Sequence, residues 1–198
     1  EALHTYQDGL AFAASAGAAA TSTVAMAYVG MAEVFYQRSQ LDQALRYATA
    51  AVPLGQQLVS MLTAATGLAI LAWTHQALSD PAAARVAIEE AYRLVPADQV
   101  AALHNPVPAE RARLVLAQGD LQAALDWVTA RKLSDVDELC YPHERDYLVF
   151  ARVLLAQNAP DRALRLLERL DAMAQDQARI ESVIEARSLM ALALAALG

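Results

Sequence analysis

Residues 111–133 read RARLVLAQGDLQAALDWVTARKL, and this stretch decides the fold. An apolar helical run ends at Gly119-Asp120, and a second helical run follows with small residues at its centre. Glycine can close a helix in the left-handed conformation, and aspartate can cap the next one. Ala112 and Ala124 stand twelve residues apart on either side of the break. Two antiparallel helices joined by so short a turn must approach closely, and a larger side chain at these positions would hold them apart.

The same spacing recurs along the chain, which is the mark of a repeat. Ala32 pairs with Ala44 in AEVFYQRSQLDQA, Ala72 with Ala84 in AWTHQALSDPAAA, and Ala151 with Ala163 in ARVLLAQNAPDRA. The leading alanines Ala32, Ala72, Ala112 and Ala151 follow one another at 40, 40 and 39 residues. Ala191 lies another 40 on and fits the first half of a fifth unit, while Ala2 begins a lone second half. The breaks carry turn chemistry at matching places: Ser39-Gln40-Leu41-Asp42, Ser79-Asp80-Pro81, Gly119-Asp120 and Asn158-Ala159-Pro160-Asp161. Serine or aspartate suits the cap of the following helix, and proline suits its first turn.

This pattern predicts an all-α protein of antiparallel helix pairs with a period of about 40 residues, stacked as one right-handed superhelical solenoid over residues 1–198. Helices are expected at about 1–16, 20–38, 41–57, 60–78, 81–95, 107–118, 121–132, 142–157, 160–176 and 180–197. Pro53 should kink or end the third of them. Pro96 to Pro108 carries three prolines and should be extended in part. Leu133 to Pro142, LSDVDELCYP, reads as an acidic loop with a short turn. The unpartnered first half-unit and the apolar last helix suggest an internal fragment of a longer array, and such an end offers a surface for self-association.

Bulk properties narrow the function. The 198 residues are 57% hydrophobic, which opposes disorder. The formal net charge is −7, and Lys and Arg are scattered singly. Phosphate neutralisation needs a basic stripe, so direct nucleic-acid binding is not expected, and neither is docking on an anionic membrane. No apolar run approaches the ~18 residues of a membrane span, and no signal segment opens the chain. The single Cys140 cannot form an intrachain disulfide, which suits a reducing, cytoplasmic setting.

Helix pairs with small residues at fixed positions resemble tetratricopeptide repeats. The longer period, with RARLVLAQGDLQAALDWVTARKLS followed by ERDYLVFARVLLAQNAPDRALRLLERL, resembles the repeat region of MalT-type regulators. IESVIEARSLMALALAALG is similar to the helix that follows in that family. These are large LuxR-like, ATP-dependent bacterial transcriptional activators. The resemblance implies a region that receives an inducer, a small molecule or a protein, and passes the signal to nucleotide-binding and DNA-binding parts of the parent regulator. No GxxxxGK[ST] phosphate loop occurs, so no nucleotide site and no cofactor is assigned.

Candidate catalytic groups do not converge. His4, His75, His104 and His143 share no metal-ligand spacing. Asp135-x-Asp137-Glu138 lacks the remaining ligands and glycine of a calcium loop, so it reads as a solvated loop. Cys140 reads as a half-buried structural thiol, and no nucleophile–base pairing is present to support an enzyme. Binding is the better prospect. In tetratricopeptide-like arrays the first helix of each pair lines a concave groove. Carried over by the repeat register, the residues after the leading alanines are Glu33, Trp73, Arg113 and Arg152. Tyr36, Gln37 and Gln76 follow one turn on; Arg145, Glu185 and Ser188 lie before their alanines. Residues three or four apart share a helix face, so these should form one surface. Arginines beside an aromatic suit an anionic, partly apolar ligand, and Arg113→Ala and Arg152→Ala are expected to weaken its binding. Leu45, Ile88, Leu125, Val128, Leu164 and Leu167 recur on second helices and are assigned to the core. The rival reading is a generic tetratricopeptide-like scaffold for a peptide or protein outside transcription.

Overall fold

The fold was read from a computed structural model that describes residues 2–16, 21–57, 60–95 and 105–198. Within them the chain is helical, with no strand among the described residues. The helices are α1 (Ala2–Ala16), α2 (Thr21–Gln37), α3 (Leu41–Gln57), α4 (Met61–Ala77), α5 (Pro81–Leu94), α6 (Val107–Ala117), α7 (Leu121–Arg131), α8 (Glu144–Ala156), α9 (Pro160–Asp176) and α10 (Ile180–Leu197). They match the expected spans to within a residue or two. Most of the expected Pro96–Pro108 connection, with His104, lies outside the described residues. Its end at Asn105-Pro106 is non-helical, and Pro108 already sits inside the first turn of α6.

Two compact units are present, residues 1–114 and 115–198. In the first, α2 packs on α3, α3 on α4 and α4 on α5, and α2 also meets α4, so first helices of successive pairs are neighbours. In the second, α8 packs on α9 and α9 on α10, and α8 meets α10. The close-contact role of alanine is visible in both units. Ala32, Ala44, Ala72, Ala84, Ala124, Ala151 and Ala163 are completely buried, and Ala112 nearly so. Ala191, at the corresponding place on α10, is exposed, as is Ala2. Gly55 extends the same logic: a Cβ there would lie 2.6 Å from the backbone nitrogen of Ala64, so α3 and α4 approach to within a missing methyl group.

Larger side chains fill the remaining volume. Ile88 and Leu114 anchor the core of unit 1, and Leu154, Leu166, Leu167 and Leu170 that of unit 2. Of the residues assigned to the core from sequence, Ile88 and Leu167 are fully buried. Leu125 and Val128 pack half-buried against the unit 2 core. Leu45 and Leu164 are half-buried.

The four helix pairs α2–α3, α4–α5, α6–α7 and α8–α9, and the link from α9 to α10, share one backbone device. Ser39, Ser79, Gly119, Asn158 and Ala178 have φ of 57°, 63°, 87°, 58° and 54°, all left-handed. At Ser79, for example, its N–H donates to the Gln76 carbonyl at 3.1 Å and the Asp80 N–H to the His75 carbonyl at 2.9 Å. That double bond is the Schellman ending, and it recurs at the other four turns. Ser39 and Ser79 therefore end the preceding helix instead of capping the next. Capping falls to Asp80 and Asp120, whose carboxylates accept from Ala83 N–H and Ala123 N–H at 3.0 Å. Pro81 and Pro160 open α5 and α9.

Pro53 does not end α3, which runs on to Gln57. Pro53 and Thr49, the residue whose carbonyl loses its partner, are both on the exposed face. Water can take up that carbonyl there, while Ala44, Ala48, Ala51 and Gly55 keep the opposite face buried.

Candidate functional site

The first helices of unit 1 bring together three of the residues expected from the register. Tyr36 comes from α2, Trp73 from α4 and Arg113 from α6. Each is half-buried. The Arg113 guanidinium lies over the Trp73 ring, 4.3 Å from its centroid, a cation–π contact. Tyr36 is close enough to feel the charges of Arg113 and Glu110, and burial pushes its hydroxyl above the usual tyrosine range. It is therefore a neutral O–H donor at physiological pH.

Glu110 is the member that the sequence did not reveal. Its side chain is buried, with 6% of the residue exposed. The Trp73 indole N–H donates to Glu110 Oε2 at 2.7 Å, joining α4 to α6. Arg113 Nη1 lies 3.6 Å from the same oxygen, an ion pair but too long for a hydrogen bond. A buried carboxylate is costly unless paired and hydrogen-bonded, and here the indole and the guanidinium divide those tasks. The only local signal was its place three residues before Arg113, on the same helix face.

Glu33 and Gln37 are exposed on α2 and Gln76 is half-buried on α4. All three sit on first helices as expected, each with partners of its own.

Unit 2 has its own polar seam between first helices. Arg152 of α8 donates to Glu185 of α10 at 2.9 Å, with both side chains about three-quarters buried. Arg145, on the same helix as Arg152, is half-buried and engaged. Ser188 spends its hydroxyl on the Ile184 carbonyl at 2.7 Å. Nearer the start of α8, Arg179 pairs with the buried Glu144 and lies under the Tyr141 ring, 5.1 Å from its centroid.

The acidic loop 133–142 is tied down more firmly than a solvated loop. Arg162 of α9 grips Asp135 with two bonds of 2.7 and 3.1 Å, which hold that carboxyl below its ordinary range. Arg169 donates to the Asp135 carbonyl at 2.8 Å and to the Asp137 carbonyl. The Tyr147 hydroxyl donates to Asp137 at 3.0 Å, and burial and this carboxylate push its pKa up to about 12. A short 3-10 turn at Tyr141–His143 closes the loop. Cys140 is exposed. Among the described residues no group of three or more His, Cys, Asp or Glu could hold a metal ion. No helix among them is long and apolar enough to cross a membrane.

Compared with known families, residues 1–198 match the MalT-like TPR region. No curated protein and no solved structure matches the chain. The 40-residue alanine register, the Schellman-linked helix pairs and a match that spans the whole chain agree, and the chain belongs to the MalT-like TPR region family.

Proposed function

We propose that this chain is the effector-sensing repeat domain of a MalT-type, LuxR-like transcriptional activator acting in the cytoplasm. It binds a small-molecule inducer or a protein partner on the face formed by its first helices. It works without catalysis, as helical repeat regions do, and hands the signal to the nucleotide-binding and DNA-binding parts of its regulator. The observation that carries this reading is the convergence of Tyr36, Trp73, Glu110 and Arg113 from three successive first helices. A buried, hydrogen-bonded polar cluster opening through half-buried aromatic and guanidinium groups is what ligand recognition requires.

The test is a thermal-shift screen of small metabolites, read for a dose-dependent rise in melting temperature. The effector so found should bind Trp73→Ala and Arg113→Ala at least ten-fold more weakly, while both variants keep the wild-type circular dichroism. Unchanged affinity in both would reject the face. Arg152→Ala tests the Arg152–Glu185 seam of unit 2 by itself in the same titration. The scaffold reading outside transcription separates on the encoding gene. A phosphate loop and a helix-turn-helix elsewhere in it favour the sensor, and the lack of both favours the scaffold.

A further inference from the structure

The arginines of this protein differ in how much of their hydrogen-bonding capacity is already spent. Arg111 and Arg113 share α6, and each lies over an aromatic ring: Arg111 at 5.0 Å from Tyr92, Arg113 at 4.3 Å from Trp73. Arg111 donates to Glu89 at 2.7 Å. Arg152 is likewise committed to Glu185 at 2.9 Å, and its Nε is buried out of reach. Arg113 makes its ring contact and its 3.6 Å ion pair, and no hydrogen bond among the described residues. Its side chain is 27% exposed, so its donors reach solvent. The Tyr36 hydroxyl, on α2, feels the charge of Arg113 and has no hydrogen bond among the described residues.

A guanidinium held over an indole, with its centre 4.3 Å from the ring centroid, gives up part of its rotational freedom before any ligand arrives, so a planar acceptor meets a partly preorganised fork. Glu110 keeps that fork in place when the site is empty. Its Oε2 accepts the Trp73 N–H at 2.7 Å, while Arg113 Nη1 stays 3.6 Å from that oxygen, beyond hydrogen-bond length. We infer that Arg113 is the oxyanion receptor of the first-helix face, taking the carboxylate of the effector on its guanidinium edge while the Tyr36 hydroxyl donates alongside. This rests on the effector-site reading above and adds the ligand class: an organic carboxylate with an apolar body.

Trp73 and Trp127 are the two tryptophans, so a Trp127→Phe background leaves Trp73 as the single fluorophore, in contact with the group under test. Benzoate, inorganic phosphate and the uncharged benzamide are titrated into this protein at constant ionic strength. The expected result is a saturable change in Trp73 emission with benzoate, at least five-fold weaker with benzamide. It is lost in Arg113→Ala and weakened at least three-fold in Arg113→Lys, which keeps the charge without the planar fork. Arg111→Ala, an arginine already committed to Glu89, keeps the response within two-fold. Circular dichroism confirms that Arg113→Lys stays folded should Arg113→Ala not. The inference is overturned if benzoate gives no saturable change, if benzamide equals it, if phosphate alone responds, or if Arg113→Lys matches the unsubstituted arginine. If these arms fail while an effector from the thermal-shift screen still depends on Trp73, the face stands and the carboxylate assignment falls. If no effector depends on Trp73 either, the face falls with it.

Discussion

Replacing Ala178 by glycine should stabilise the protein, although glycine is the second-worst residue inside a helix. Ala178 has φ of 54° and is exposed. Its N–H donates to Gln175 and the Arg179 N–H to Ala174, both at 2.9 Å. These bonds belong to the backbone and survive the substitution, so two backbone terms decide the sign. An L-residue in the left-handed region costs about 1–2 kcal/mol, which glycine avoids. Glycine's greater freedom in the unfolded chain costs about 0.5–1 kcal/mol. The difference favours Ala178→Gly by about 0.5–1 kcal/mol. The mirror substitution is Gly119→Ala, at φ of 87°, where an added Cβ would meet nothing within 4 Å. No clash confuses that result, and it should destabilise by the same amount. Urea unfolding followed at 222 nm reads both, as midpoint shifts of opposite sign at unchanged m-value. A drop of about 1 kcal/mol for Ala178→Gly, as for glycine in a helix interior, would refute the turn at this position.

Gly55→Ala should destabilise by about 1–3 kcal/mol despite the better helix propensity of alanine, because the new methyl would sit 2.6 Å from the backbone of Ala64; chemical denaturation measures it. Trp73→Phe keeps the ring beneath Arg113 but removes the N–H that binds Glu110, and should cost about 1–3 kcal/mol in the same assay. Tyr147, with its pKa raised to about 12, favours the folded state while its hydroxyl is protonated. Its contribution is complete below pH about 10, the ordinary tyrosine value, and is lost as pH rises from there through about 12. Ultraviolet titration at 295 nm should lose its last ionisation step in Tyr147→Phe.

The helix pairs were legible because their signals are local. An alanine twelve residues from its partner, with a turn between, appears in one short window, and all eight such alanines proved buried. The left-handed turns were legible only in part. Gly119 and Asn158 carry the residue types that favour positive φ, whereas Ser39, Ser79 and Ala178 reach it because tertiary packing outweighs their local preference. For Ser39 and Ser79 the position in the 40-residue register was the available clue, and Ala178 lies outside that register. Whether Pro53 would end its helix was not legible, because propensity cannot say which helix face meets water.

The candidate site divides along the same line. Tyr36, Trp73 and Arg113 followed from the register, but Glu110 sits 37 residues from the indole that binds it, and nothing in the intervening chain announces the contact. The arginines looked equivalent as letters. Only their partners distinguish Arg113 from Arg111 and Arg152. Likewise, the acidic loop looked solvated until Arg162 and Arg169, about 30 residues on, were seen to hold it.

The most direct measurement of the central claim is amide hydrogen exchange of the whole chain with and without the effector that the thermal-shift screen identifies. The account predicts slowed exchange concentrated in α2, α4 and the start of α6, around Tyr36, Trp73 and Glu110–Arg113, with the second helices α3 and α5 little changed. Protection confined to α3 and α5, or to the loop 133–142, with α2, α4 and α6 unaffected, would contradict it.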